Sequence, residues 1–296
     1  MKFFLVVAGL LLGGIAVSAF YFMPISNHFA RYLWWRLTTD VAATSGDVFS
    51  RDTKIHYTVY GDGTPILLLH GGLSNKLSWF SQLPVLSDCG YRLILLDSRG
   101  HGLSGLGNAE LSYRLLADDA LAVLDRLNVQ QADVLGWSDG ANTALLLAGR
   151  WPKRVGKIVA ISGNSSPQGL TVAARQQNLE QPTGITYWLY RFWTGAEDKF
   201  LELVNRLKHL WRHGPVIPDT TLKDIKSRVL LIVGDHDVVT VEHAQDMNKL
   251  LPDSRLHIVR DGGHSTLITH ATEVNKQILD FLGPCKEKPL DTNSRL

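Results

Sequence analysis

The chain has 296 residues, of which 45% are hydrophobic and 20% charged, enough for one large domain with a full core. Its 30 basic and 28 acidic residues leave a net charge of +2 without long single-sign runs, so there is no electrostatic case for nucleic acid. The two cysteines, Cys89 and Cys285, exclude a disulfide framework and lack the paired spacing of a structural zinc site; two buried or idle thiols are the expectation, with a single bridge as the alternative.

In chain order, the first feature is FFLVVAGLLLGGIAVSAFYFM, residues 3 to 23, which carries no charge. As a helix it would extend about 31 Å at ~1.5 Å per residue, the thickness of a bilayer core. Residues 1–24 therefore read as a transmembrane anchor or a signal peptide. Val17-Ser18-Ala19 would suit a signal peptidase, but apolar residues continue to Met23, which favours the anchor. Residues 25–49 follow as an interfacial linker, with Arg31, Tyr32, Trp34, Trp35 and Arg36 suited to the membrane–water boundary. The expected location is at a membrane, anchored by the N-terminal helix, with export after signal cleavage as the alternative.

From residue 53 short apolar runs alternate with helical patterns. KIHYTVYG, PILLLHGG, YRLILLDSRGHG, ADVLGWSDG, VGKIVAISG, SRVLLIVGDHD and RLHIVRDGGH read as strands. LSYRLLADDALAVLDRLN, ANTALLLAGRWP, VEHAQDMNKLLP and TLITHATEVNKQILDFLG read as helices. Continuously apolar strands followed by helices predict an α/β domain, its mostly parallel sheet covered on both faces. The core is expected in two parts, 50–163 and 227–284. Between them, 164–226 shows no strand pattern and is rich in aromatics, which predicts a helical cap insertion whose Trp188 and Trp193 line a pocket beneath it. Residues 285–296 are a polar tail.

The chemistry centres on Gly136-Trp137-Ser138-Asp139-Gly140, which follows the strand ADVL and opens the helix ANTALLLAGR. That context is what a nucleophile elbow requires: the serine sits in a strained turn, and the glycines let strand and helix approach closely. A serine hydroxyl needs a base and an orienting acid. His264, on a loop after the last predicted strand, is the expected base. In GDHD, Asp237 lies far enough past its strand to reach that histidine, while Asp235 is better placed to bond turn amides. The amides of Gly72, in HGGLSN, and of Asp139, at the helix N-terminus, are the expected donors to a developing oxyanion. The side chains of Trp137 and Asp139, flanking the serine, are expected to touch substrate. DSRGHG, residues 97 to 102, reads as a structural turn fastened by Asp97 and Arg99.

HGG at 70 to 72, DSRGHG at 97 to 102, GWSDG at 136 to 140, GDHD at 234 to 237 and GGH at 262 to 264 stand in the order found in α/β-hydrolases, and the chain from about 50 to 284 resembles that superfamily. The resemblance implies an α/β-hydrolase fold and acyl transfer to water through an acyl-serine, with Ser138, Asp237 and His264 as the triad and with no metal or organic cofactor. Serine at the elbow departs from the aspartate pattern of haloalkane dehalogenases and epoxide hydrolases. GWSDG is further similar to the elbow of the valacyclovir hydrolase-like branch, which would give Asp139 the amino group of an amino-acid ester; the alternative is that Asp139 only favours its helix N-terminus.

The functional expectation is hydrolysis of a small or medium apolar carboxylic ester, the small-molecule partner of this chain. Three alternatives compete with it: a monoacylglycerol lipase or lysophospholipase held near a bilayer, an amino-acid ester hydrolase, and a non-catalytic ligand-binding relative.

Overall fold

The computed structural model describes residues 27–176, 188, 191–192 and 199–285. The apolar stretch at 3–23, Trp193 and the tail beyond 285 lie outside them. Among the described residues no helix is long and apolar enough to cross a membrane.

The strands are β1 (Ala43–Ser50), β2 (Thr53–Tyr60), β3 (Thr64–Leu69), β4 (Tyr91–Leu96), β5 (Ala132–Trp137), β6 (Val155–Ile161), β7 (Val229–Gly234) and β8 (Ser254–Val259). They form one 8-stranded sheet in the order β1-β2-β4-β3-β5-β6-β7-β8. The two pairings made by β2 are antiparallel, and all those from β4 through β8 are parallel. The helices are α1 (residues 27–38), α2 (Leu83–Asp88), α3 (Tyr113–Arg126), α4 (Asp139–Arg150), α5 (Val172–Gln176), α6 (Phe200–His213), α7 (Asp219–Asp224), α8 (Val241–Leu250), α9 (Thr266–Thr269) and α10 (Ala271–Leu282).

The apolar runs of the strands split by parity between two cores. Leu67, Leu69, Ile94, Val134, Ile158 and Leu231 face α3, α4 and α8, where they meet Ala120, Val123, Ala144, Leu145 and Met247. Their neighbours Ile66, Leu68, Leu95, Leu135, Val159 and Ile232 face α1, α2 and α10, and meet Trp35, Leu83, Val274 and Ile278. Successive side chains on a strand point to opposite faces, so a strand covered on both sides has to be apolar throughout. Each fully buried Leu or Ile contributes about 1.5–3 kcal/mol.

Three expectations change. Residues 25–49 were expected to form a linker, yet 27–38 are helical and 43–50 add the edge strand β1. Tyr32 and Trp35, expected at a lipid boundary, are buried in the core, where Trp35 meets Tyr60 edge-on at 5.4 Å. Cys89 and Cys285 are joined in a disulfide rather than idle, because the C-terminal end of α10 returns beside the end of α2.

Between β6 and β7 the described elements are helical apart from a single bridge, Leu170 to Val239. Helix α6 buries Phe200, Leu203, Val204, Leu207 and Leu210. Leu203, Leu207 and Leu210 pack on Leu106, Leu111, Tyr113 and Leu116, which seats α6 above the C-terminal edge of the sheet.

Candidate active site

Ser138 lies between β5 and α4 at φ 55° and ψ −118°, a left-handed conformation that costs a non-glycine residue on the order of 1–3 kcal/mol. Its surroundings hold it there. The Ser138 N–H donates to Ile161 O at 2.8 Å, and its carbonyl accepts from the amides of Ala141 and Asn142. A Cβ on Gly140 would lie 2.0 Å from Leu69 O, and one on Gly136 2.3 Å from Gly140 O, so any other residue at either position would push α4 off the sheet. The serine hydroxyl is thereby presented to a cavity of about 490 Å³.

The loops after β7 and β8 meet that hydroxyl from the other side. They are tied together by the His236 N–H donating to Gly262 O at 2.9 Å. Asp237 Oδ1 lies 2.7 Å from His264 Nδ1, and His264 Nε2 lies 2.9 Å from Ser138 Oγ. A carboxylate only accepts, so Nδ1 carries the proton and Nε2 is left to accept from the serine. Burial alone would raise the Asp237 carboxyl, but donation from His264, Ser162 and the Val239 amide outweighs it and holds the group below the usual carboxylate range. Asp235 instead pairs with His236 at 2.8 Å, on the exposed surface.

Two features here have no counterpart in the sequence reading. Ser162 follows the last residue of β6, also at positive φ, and its hydroxyl donates to Asp237 Oδ2 at 2.5 Å. Trp137 was expected to touch substrate, but it is buried behind the site, does not line the cavity, and donates from Nε1 to His264 O at 2.8 Å. It holds the histidine loop rather than a ligand. Trp188 is likewise not among the cavity-lining residues; it is exposed, with the Arg191 guanidinium 5.3 Å from its ring centre.

Gly72 and Asp139 both line the cavity beside Ser138, and among the described residues neither backbone N–H has a protein acceptor. The loop that carries Gly72 is braced from below by buried histidines. His70 donates from Nδ1 to Gly71 O at 2.7 Å and accepts from the Ser98 amide at 2.9 Å. His101 donates to Arg99 O at 3.0 Å and accepts from the Leu73 amide at 3.1 Å. Burial pushes His70 down and His101 to about 3, so both are neutral. The 97–102 turn is structural: Asp97 accepts from Lys76 and from the Leu103 amide, while buried Arg99 makes a two-pronged pair with Asp119 and reaches Asp52 at 2.6 Å.

The Asp139 side chain is buried at the cavity wall. Its Oδ1 accepts from the Tyr113 hydroxyl at 2.7 Å, and both oxygens lie 2.9 Å from Trp211 Nε1. Burial pushes its carboxyl up, against those two neutral donors. Away from the cavity, Asp235, His236 and Asp261 bring possible ligand atoms within 4.8 Å of one another, all on exposed side chains.

A family model described as alpha/beta hydrolase fold matches residues 64–194. The chain is 26% identical over 261 residues to the serine hydrolase BPHL of Homo sapiens, covering 81% of this chain and 87% of that protein. It is 28% identical over 265 residues to a 2-hydroxy-6-oxononadienedioate/2-hydroxy-6-oxononatrienedioate hydrolase of Escherichia coli (strain K12 / DH10B), covering 77% of this chain and 91% of that one. Among solved structures it is similar to a meta-cleavage product hydrolase from Pseudomonas fluorescens IP01, with a TM-score of 0.71 at 21% identity over 80% of this chain and 97% of the other. The sheet order, the ordered motifs and these relatives agree on an α/β-hydrolase fold, and the relatives are hydrolases.

Proposed function

We propose that this hydrolase cleaves a small or medium carboxylic ester through an acyl-serine intermediate. The observation that carries the reading is the relay from Asp237 through His264 to Ser138, at 2.7 and 2.9 Å, opening into a cavity. In the first half-reaction His264 Nε2 accepts the hydroxyl proton while Ser138 Oγ attacks the ester carbonyl. The resulting oxyanion takes hydrogen bonds from the Gly72 and Asp139 amides, donors typically worth 10²–10³-fold in turnover. His264 then returns the proton to the leaving alcohol. In the second half-reaction it draws a proton from water, which attacks the acyl-serine and releases acid and free enzyme. Asp237 stays ionised throughout and stabilises the transient imidazolium.

The test is labelling of the full chain by a fluorophosphonate, with turnover of p-nitrophenyl acetate and butyrate. Ser138→Ala is expected to abolish labelling and reduce turnover by at least ~10⁴-fold. Equal turnover in wild type and variant would end the proposal. An amino-acid ester substrate is the second reading, favoured by the buried Asp139 carboxylate on the cavity wall. Asp139→Asn should then lower kcat/KM for an aminoacyl ester but not for its plain acyl counterpart; equal effects on the two would remove this reading.

For location we propose a membrane-anchored enzyme with its hydrolase domain in an oxidising compartment. The uncharged stretch at 3–23 supports the anchor. Helix α1 supports it too, since Tyr32 and Trp35 fasten it to the domain while Leu33, Trp34 and Leu37 remain exposed. The Cys89–Cys285 bridge supports the compartment. Recovery of the intact chain, residue 1 included, in an aqueous fraction without detergent would refute the anchor.

A further inference from the structure

The net charge of this chain is close to balanced, yet the cavity at Ser138 is not. Its lining includes Arg175 from α5 and Lys208 and Arg212 from α6, against a single carboxylate among the described residues, Asp139. Lys208, Trp211 and Arg212 stand at the i, i+3 and i+4 spacing that puts them on one face of α6, beside the face that buries Leu203, Leu207 and Leu210. Packing of those leucines on the main domain therefore aims the two cations and the indole at the cavity. Trp211 is spent on Asp139, whose oxygens it and Tyr113 already occupy. None of the three cationic side chains has a hydrogen-bond or ion-pair partner among the described residues.

The three cations also have a definite place along the cavity. Arg175 and Arg212 are exposed and Lys208 is half-buried, so they belong to the solvent-facing part of its lining. Asp139 is buried in the same lining, which also holds Ser138 and His264 and the apolar side chains of Leu170, Val238 and Val239. A ligand filling this space would present a carbonyl to Ser138, apolar atoms to the wall, and its far end to three positive charges.

Resting on the ester-hydrolase reading, we propose that the substrate is an ester whose far end carries an oxyanion, carboxylate or phosphate, held by Arg175, Lys208 and Arg212. Guanidinium groups match both anions by paired donation, and a half-buried ammonium strengthens the field at the opening. The same charges oppose a substrate with a free ammonium at that end.

The experiment compares matched esters on the full chain: mono-p-nitrophenyl adipate with its methyl ester, and a lysophosphatidic acid with the monoacylglycerol of the same acyl chain. The charged member of one pair should show at least a ten-fold higher kcat/KM, and which pair shows it separates carboxylate from phosphate. That advantage should shrink as NaCl rises from about 0.05 to 0.5 M, since the cations at the opening are screened. In the combined variant Arg175→Gln, Lys208→Gln, Arg212→Gln the ratio of charged to neutral kcat/KM should fall at least ten-fold. The salt series on the wild type keeps the test open if this variant does not fold. A wild type that labels with fluorophosphonate yet hydrolyses the neutral member of both pairs as fast as the charged one overturns this inference alone. Failure to label overturns the ester-hydrolase reading and this inference together.

Discussion

Acid should loosen this protein through a histidine that does no chemistry. His101 is buried and neutral, with its Nε2 accepting from the Leu73 amide, and its pKa is pushed from 6.5 down to about 3. A proton on Nε2 would turn that acceptor into a donor facing the Leu73 N–H, and the loop carrying Gly72 would have to move. Between pH 6.5 and 3 the unfolded chain binds a proton at this residue that the folded chain refuses. Stability is therefore fully present above the unfolded pKa and falls as the pH drops, at about 1.4 kcal/mol per pH unit. From pH 7 to pH 5 the loss from His101 comes to about 2 kcal/mol. His70, pushed down by burial in the same direction, steepens the fall. The assay is urea unfolding at pH 7 and pH 5 at fixed ionic strength, for wild type and His101→Gln, whose amide oxygen can still accept from Leu73. The variant should lose about 2 kcal/mol less over that interval. Equal losses in the two proteins, or stability rising in acid, would refute the reasoning.

Other parts of the structure give sharper local tests. Ser162→Ala removes the 2.5 Å donor to Asp237 Oδ2 and should cost about 1.5–3 kcal/mol of stability, with kcat/KM for a p-nitrophenyl ester down about ten-fold; chemical denaturation and steady-state kinetics read both. Trp137→Phe keeps an aromatic side chain but drops the bond to His264 O, so kcat should fall a few-fold with KM little changed, and a change confined to KM would contradict its positioning role. Gly140→Ala puts a Cβ where Leu69 O already lies 2.0 Å away, and should cost more than ~3 kcal/mol or abolish folding; a variant melting with the wild type would contradict the geometry. Cys285→Ser should lower stability by about 2–4 kcal/mol, and reduction of the wild type should lower its melting temperature to that of the variant.

What the sequence made legible was what its local chemistry encodes. The elbow could be read because glycine, strand ending and helix opening fall within a few residues of Ser138, and the loops of Asp237 and His264 because each follows an apolar strand. Contacts between distant segments left no such trace. Ser162 sits in a run of serines, and only the packing of β6 beside β7 brings it to Asp237. The Tyr113 and Trp211 donors to Asp139 come from α3 and α6, 98 residues apart by their numbers, and no local pattern joins them. Strand β1 was missed because ATSGDVFS, paired on one side only, is mostly exposed and lacks an apolar run. Tyr32 and Trp35, an i, i+3 pair between arginines, carry the composition of a membrane boundary and the spacing of a core-facing helix stripe, and the second describes where they sit.

The bridge between Cys89 and Cys285 has a topological consequence. It closes a covalent ring across a sequence separation of 196, and Ser138, Asp237 and His264 all fall inside that ring. A single proteolytic cut anywhere from Gly90 to Pro284 therefore opens the ring without releasing a fragment. Such a nicked molecule would run at full mass on a non-reducing gel and split into two bands only after reduction, and its serine and histidine would remain tethered to one another whichever loop had been cut.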